Sequence, residues 1–240
     1  MDKYNFKKDV KQIWCPGCGL YSVFNSLIKV FSDIGWSNKD VSIVSGIGCT
    51  GRAAGYINVD SCHTTHGRAL PVAEGLKLSR PELNVVVVSG DGDLMGIGGN
   101  HLLHTARRNT NIKVICNANS VYGMTGGQLS PQTPKGTKTV TTPEGSPYNP
   151  INMQGIISSN NDFFYARSAV FDPAHIQEMI KRSLSWNGFS FLEIISICPT
   201  NLGGKIGMTA ADMIKRMKED YHYQEKEGVL KTNELGFIHS

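Results

Sequence analysis

Asn84-Val85-Val86-Val87-Val88-Ser89-Gly90-Asp91-Gly92-Asp93 decides the fold. Four successive valines without polar alternation read as a strand buried on both faces, as in a parallel sheet covered by helices. Working outward, residues 41–45 (Val-Ser-Ile-Val-Ser), 112–117 (Ile-Lys-Val-Ile-Cys-Asn) and 190–197 (Ser-Phe-Leu-Glu-Ile-Ile-Ser-Ile) are further short β-branched runs. All four run into Gly, Asn or Cys-Pro. Between them lie helical patterns. Leu20, Val23, Phe24, Leu27, Ile28, Phe31 and Ile34 form a 3.6-residue stripe over 19–34. Ala69, Val72, Ala73 and Leu76 form another, stopped by Arg80-Pro81. Residues 97–108 and 173–185 follow the same pattern, the latter opened by Asp172-Pro173 as cap and first-turn proline. Strands alternating with helices predict an α/β fold, a mostly parallel sheet with helices on both faces. In such sheets ligands bind beyond the carboxyl ends of the strands.

The remainder of the chain fits this picture. With 240 residues, 40% hydrophobic and 18% charged, it is long enough for a real core and too apolar for disorder. No apolar run approaches a membrane span. Met1 leads into polar Asp2-Lys3-Tyr4-Asn5 without a signal-peptide core, which predicts a cytoplasmic protein. The net charge of +4 is mild and its basic residues are scattered, so neither nucleic acid nor membrane is expected as a partner. Residues 123–150 are rich in Gly, Thr and Pro without periodicity, a loop long enough to be functional. From Thr209 the sequence reads as a charged surface helix and a tail, dividing the chain into 1–208 and 209–240.

The chemistry is concentrated where the strands end. Gly90 and Gly92 let the backbone approach a diphosphate, and Asp91 offers a carboxylate. One strand later, Asn117-Ala118-Asn119-Ser120-Val121-Tyr122-Gly123 offers the Asn119 amide oxygen and the Val121 carbonyl. Mg²⁺ prefers hard oxygen ligands shared between protein and phosphate. Either half alone is a pair of turns; together, at adjacent strand ends, they read as a thiamine diphosphate and Mg²⁺ site. His66, ahead of a helix, is either a loop histidine or a contact to that cofactor. Gly46-Ile47-Gly48-Cys49-Thr50-Gly51 matches a dinucleotide fingerprint, yet no long helix and no suitably spaced acidic residue follow it.

The six cysteines, in a chain without signs of secretion, point to metal or redox chemistry before disulfides. Trp14-Cys15-Pro16-Gly17-Cys18-Gly19 sets two thiols in a tight turn. A redox dithiol, a structural zinc and an iron–sulfur centre are all readings of that turn. A four-thiolate site needs two more sulfurs, and Cys49 and Cys198 both follow strands at the same sheet edge. Cys116 reads as a small core residue, and Cys62, near His63 and His66, is ambiguous.

Taken together, Trp14–Gly19, Gly46–Gly51, His66-Gly67-Arg68-Ala69, Gly90–Asp93 and Tyr122-Gly123-Met124-Thr125-Gly126-Gly127-Gln128 make the chain resemble the β subunits of the 2-oxoacid:ferredoxin oxidoreductases over nearly its whole length. Trp-Cys-Pro-Gly-Cys-Gly is most similar to the 2-oxoglutarate:ferredoxin oxidoreductase (2-oxoglutarate synthase) type. The resemblance implies a [4Fe–4S] cluster on Cys15, Cys18, Cys49 and Cys198, choosing Cys198 over Cys62 and Cys116. It implies Mg²⁺ on Asp91, Asn119 and the Val121 carbonyl. Thiamine diphosphate would touch Ile47, Gly48, Cys49, Thr50, His66, Gly92, Asp93, Tyr122, Gly123 and Met124. Arg52 would be a substrate-side basic residue, able to meet the distal carboxylate of 2-oxoglutarate. Ala118 departs from the polar residue many relatives carry there.

The implied reaction is oxidative decarboxylation of a 2-oxoacid, with coenzyme A taking the acyl group and electrons passing through the cluster to ferredoxin. Thiamine enzymes also need a glutamate against the aminopyrimidine ring, and 240 residues leave no room for a second thiamine-binding domain. A partner α subunit is therefore expected to supply it with most of the substrate pocket, and the resemblance allows small γ and δ subunits as well. A pyruvate or branched-chain enzyme, a non-redox thiamine decarboxylase or synthase, and a zinc-stabilised scaffold subunit are the competing readings.

Overall fold

The valine run does become the interior of the sheet. In the computed structural model, which describes residue 7 and residues 10–240, the strands are β1 (Val41–Ser45), β2 (Asp60–His63), β3 (Asn84–Gly90), β4 (Lys113–Ala118), β5 (Val121–Tyr122), β6 (Gln128–Leu129), β7 (Phe164–Ala169), β8 (Ser190–Ile195), β9 (His222–Tyr223) and β10 (Glu234–His239). Met1–Asn5, read above as lacking a signal-peptide core, lie outside the described residues. The helices are α1 (Leu20–Ile34), α2 (Ala53–Tyr56), α3 (Ala69–Ser79), α4 (Gly99–Arg108), α5 (Met153–Ser158), α6 (Pro173–Ser185), α7 (Gly204–Ile206) and α8 (Ala210–Asp220).

Eight strands form one sheet in the order β2-β1-β3-β4-β8-β7-β10-β9, while β5 and β6 pair separately. From β2 to β7 every pairing is parallel. β10 runs antiparallel against β7. Alternation along β3 divides the interior. Val86 and Val88 join a core with α1, α6 and α8, whereas Val85 and Val87 join one with α3, α4 and α5. Both layers exclude water, so a run with no polar member is what this strand needs.

Register then places the chemistry. Gly90 is opposite Asn117, and Ala118 is opposite Ile195, while Val44 is opposite Val87. The segments that follow β1, β3, β4 and β8 therefore leave the same edge of the sheet side by side. Residues 123–150 return to that edge: Thr133 Oγ1 donates to the Ser120 carbonyl at 2.6 Å, and Ser130 Oγ donates to Asp91 at 2.6 Å.

After Thr209, which caps α8 through a reciprocal bond with Asp212, the chain holds the expected helix. Beyond it lies β10, with Leu235 and Ile238 buried, where the sequence suggested a tail. Arg167 of β7 secures this segment: its Nη1 donates to the carbonyls of Lys231 and Thr232, and its Nε to Glu193 Oε2 at 2.9 Å. β7 and β10 carry buried Arg167 and Glu234 among their apolar residues, which hides their strand character from an apolarity reading. No helix among the described residues is long and apolar enough to cross a membrane.

Candidate functional site

One cavity opens at this edge, and every residue expected to hold thiamine diphosphate or Mg²⁺ lines it. Ile47 to Thr50 form one wall, His66 and Gly90 to Asp93 a second, and Asn119 with Val121 to Met124 a third. Asp91 is 2% exposed, and Ser130 Oγ bonds its Oδ2. Burial pushes its carboxyl up to about 6, although hydrogen bonds from Ser130 and the backbone of Gly92 and Asn119 pull the other way. Ser120, held at φ 64, turns the chain so that Asn119 Oδ1 accepts from the Val121 amide at 3.3 Å. A buried carboxylate with no cationic partner among the described residues, beside an amide oxygen, fits a hard divalent cation.

Asp93 has a different task. Its Oδ1 accepts from the amides of Ile47 at 3.1 Å and Gly67 at 2.7 Å and meets His66 Nδ1 at 2.6 Å; its Oδ2 accepts from Ser89 Oγ at 2.8 Å. A Cβ on Gly46 would lie 2.0 Å from Oδ2, so only glycine lets the β1 loop rest on this carboxylate. Although Asp93 borders the cavity, its oxygens are occupied in tying its walls together. His66, with its side chain 36% exposed, is the group that arrangement presents.

The sulfurs gather on the α1 side. Cys18 N donates to the Cys15 carbonyl at 3.1 Å, closing the turn. A Cβ on Gly19 would stand 2.3 Å from Ser196 Oγ and 3.2 Å from the Ile197 amide, so this turn lies against the strand end that leads into Cys198. Trp14 Nε1 donates to the Cys49 carbonyl at 2.8 Å while its ring packs on Tyr21, Phe24 and Tyr56. The position of a Cβ on Gly123 is 3.3 Å from Cys198 Sγ and 3.9 Å from Cys49 Sγ.

Burial, followed by the neighbouring cysteines, pushes the Cys18 and Cys49 thiols up to about 11. Cys15, Cys49 and Cys198 all lie within electrostatic range of Cys18, and Cys15 and Cys198 within that of Cys49. They do not converge on a point: among the described residues no group of three or more His, Cys, Asp or Glu side chains is arranged to hold a single metal ion. The four thiols are unbridged, and burial disfavours Cys18 and Cys49 as bare thiolates, so the four fit a group whose iron cations would neutralise the thiolate charge.

The two cysteines left out of the cluster lie elsewhere, and so does Arg52. Cys116 is in the core under α3 and α4, and Cys62 is on the edge strand β2. Arg52 does not line the cavity; its guanidinium lies 5.5 Å from the Tyr56 ring centre, two residues past Thr50, with Nε buried and unpartnered. Ser130's bond to Asp91 and Trp14's bond to Cys49 escaped sequence reasoning, because each joins segments far apart in the chain; Ser89 reaches Asp93 only four residues on, through the turn that ends β3. Asn117 is buried with both amide atoms unpartnered at this same edge.

A family model described as thiamine pyrophosphate enzyme, C-terminal TPP binding domain, matches residues 46–194. The 2-oxoglutarate synthase subunit KorB of Methanothermobacter thermautotrophicus is 42% identical over 97% of this chain and 82% of its own length. KorB of Methanocaldococcus jannaschii is also 42% identical, over 97% of this chain and 87% of its own. A solved structure, 2-oxoglutarate:ferredoxin oxidoreductase from Magnetococcus marinus with 2-oxoglutarate, coenzyme A and succinyl-CoA bound, superposes with a TM-score of 0.87 at 30% identity, covering 97% of this chain and 82% of that one. With a thiamine-type cavity and a four-cysteine corner on one sheet edge, the chain belongs to the β subunits of the 2-oxoacid:ferredoxin oxidoreductases.

Proposed function

We propose that this chain is the cofactor-bearing subunit of an enzyme that oxidatively decarboxylates 2-oxoglutarate to succinyl-CoA and CO₂ and passes the electrons to ferredoxin, a reaction reversible in principle. The observation that carries this reading is the meeting, at one sheet edge, of the Asp91–Asn119–Val121 corner and the Cys15, Cys18, Cys49 and Cys198 thiols. Asp91, the Asn119 amide oxygen and the Val121 carbonyl would hold Mg²⁺. The Gly90–Gly92 backbone and His66 would receive the diphosphate, and the Ile47–Thr50 and Tyr122–Met124 segments would enclose the rings. The four cysteines would hold a [4Fe–4S] cluster. Bound thiamine supplies the electron sink for decarboxylation, and the cluster a one-electron outlet.

This chain's residues fix the diphosphate, order the walls through Asp93 and keep both cofactors on one edge. The glutamate that activates thiamine, with most of the substrate pocket, would come from the α subunit. Arg52 is the proposed partner of the distal carboxylate of 2-oxoglutarate. Its support is the unpartnered Nε and its place directly after the Thr50 wall.

The complex co-expressed with its α subunit should reduce a viologen dye when given 2-oxoglutarate and coenzyme A, outpacing pyruvate and 2-oxoisovalerate. It should contain about four irons per β chain after anaerobic reconstitution. Zinc in place of iron would remove the electron-transfer reading, and decarboxylation by the isolated chain would remove the split site.

A further inference from the structure

A groove of about 700 Å³ runs along the far side of the Cys198 turn, between α8 and the 134–138 segment. Its floor is apolar, with Ile197, Leu202, Met213 and Met217. Its rim is basic: Lys135 and Lys138 from the long loop and Lys205 from α7 are exposed and have no ion-pair partner among the described residues, whereas Arg216 of α8 pairs with Asp220 at 3.4 Å. The floor is one layer from a proposed cluster ligand. The amides of Leu202 and Gly203 donate to the Cys198 carbonyl at 3.1 and 3.0 Å, and a Cβ on Gly203 would stand 3.1 Å from Met213 Sδ. Nothing in the proposed decarboxylation uses these residues.

We propose that this groove docks a small acidic one-electron carrier protein, with Lys135, Lys138 and Lys205 clasping its carboxylates over the apolar floor. The proposal rests on the function proposed above, in which electrons leave through the cysteine-bound cluster. A redox partner must come close to the donor for transfer. The groove combines nearness to Cys198, an adaptable methionine floor and a rim charge complementary to acidic carriers. Such encounters are steered by charge and weakened by salt. The step transfers one electron from the reduced enzyme to the oxidised carrier, with no bond made or broken in either.

The test uses the complete α-containing complex, an acidic ferredoxin and a triple variant, Lys135→Glu with Lys138→Glu and Lys205→Glu. Lys39→Glu, just before β1 at the opposite end of the strands, is the control. The triple variant should raise both the KM for ferredoxin and its Kd without turnover about tenfold or more, while viologen reduction stays within about twofold of the parent. A carbodiimide should cross-link ferredoxin carboxylates to Lys135, Lys138 or Lys205 in the parent. Unchanged KM and Kd overturn the proposal, as does a parallel loss of viologen reduction. Cross-links from these lysines to the α subunit also overturn it, by assigning the groove to the subunit interface. If the parent complex reduces neither viologen nor ferredoxin with any 2-oxoacid, the proposed function itself fails, an outcome distinguishable from a docking failure.

Discussion

His66 Nδ1 and Asp93 Oδ1 stand 2.6 Å apart, on a carboxylate that also receives the amides of Ile47 and Gly67 and the hydroxyl of Ser89. One 2%-exposed side chain thus joins the loops after β1 and β3 to the segment before α3. With Nδ1 engaged, the Nε2 of His66 remains for a ligand, and its ring orientation is set before anything binds.

Asp93→Asn should weaken this arrangement. An amide has one acceptor oxygen where the carboxylate has two, and its NH₂ would face donors that need an acceptor. Losing charge-assisted bonds costs about 1.5–3 kcal/mol each. The expected outcome is a thiamine diphosphate Kd raised at least about tenfold in the α-containing complex, at unchanged iron content. Titration of the complex with the cofactor in the presence of Mg²⁺ checks it, and an unaltered Kd would show that His66 needs no such support.

Asp91 carries the opposite prediction, because it faces the ligand. Asp91→Ala should abolish thiamine diphosphate binding and leave the iron in place, since the bonds of Asp91 run to Ser130 and to the backbone of Gly92 and Asn119, none of them in the segments that carry the cysteines. Ser130→Ala, which removes only the hydroxyl on Asp91, should give an intermediate affinity with an intact fold. Equilibrium dialysis and iron analysis on the same preparations distinguish the cases. Loss of iron in Ser130→Ala would contradict this division of labour.

How far these features were legible in the sequence follows from physical range. The Val85–Val88 run and the α1 stripe are local patterns of burial, and both elements form close to where they were read. The residues that close strands in glycine or asparagine mark the site for the same reason: loop chemistry follows strand ends. β7 was illegible because Arg167 interrupts it, buried only because it meets Glu193 of the neighbouring strand β8, and β10 opens on the charged Glu234, which accepts from the Lys231 amide just ahead of it. Arg52's seat over Tyr56 and Ser130's reach to Asp91 depend likewise on tertiary placement.

Trp14 is such a case on the sulfur side. Its indole N–H is bonded to the Cys49 carbonyl, so it joins the Cys15–Cys18 turn to the third cysteine. Trp14→Phe keeps most of the packing on Phe24 and Tyr56 but leaves that carbonyl without this donor. The expected result is faster bleaching of the visible absorption in air and fewer irons per chain after gel filtration, with thiamine diphosphate affinity retained. Bleaching at the parental rate would limit Trp14 to packing.

Lys113, at the amino end of β4, is 6% exposed, and its Nζ donates to the carbonyls of Trp186 and Gly188. Burial, with a smaller contribution from nearby Lys77, pushes its pKa down to about 7 from the ordinary 10.5. A folded-state pKa below the unfolded one means that, between these values, the unfolded chain holds a proton the folded chain has released. Stability therefore rises with pH across the window from about 7 to about 10. The slope is limited to about 1.4 kcal/mol per pH unit for one such group. Lys113→Met lacks the titrating amine, so its urea midpoint should rise less than the parent's between pH 7 and 9 at constant ionic strength. Parallel curves for the two proteins would show that Lys113 keeps its proton in the folded state, with the two carbonyls offsetting the cost of burial.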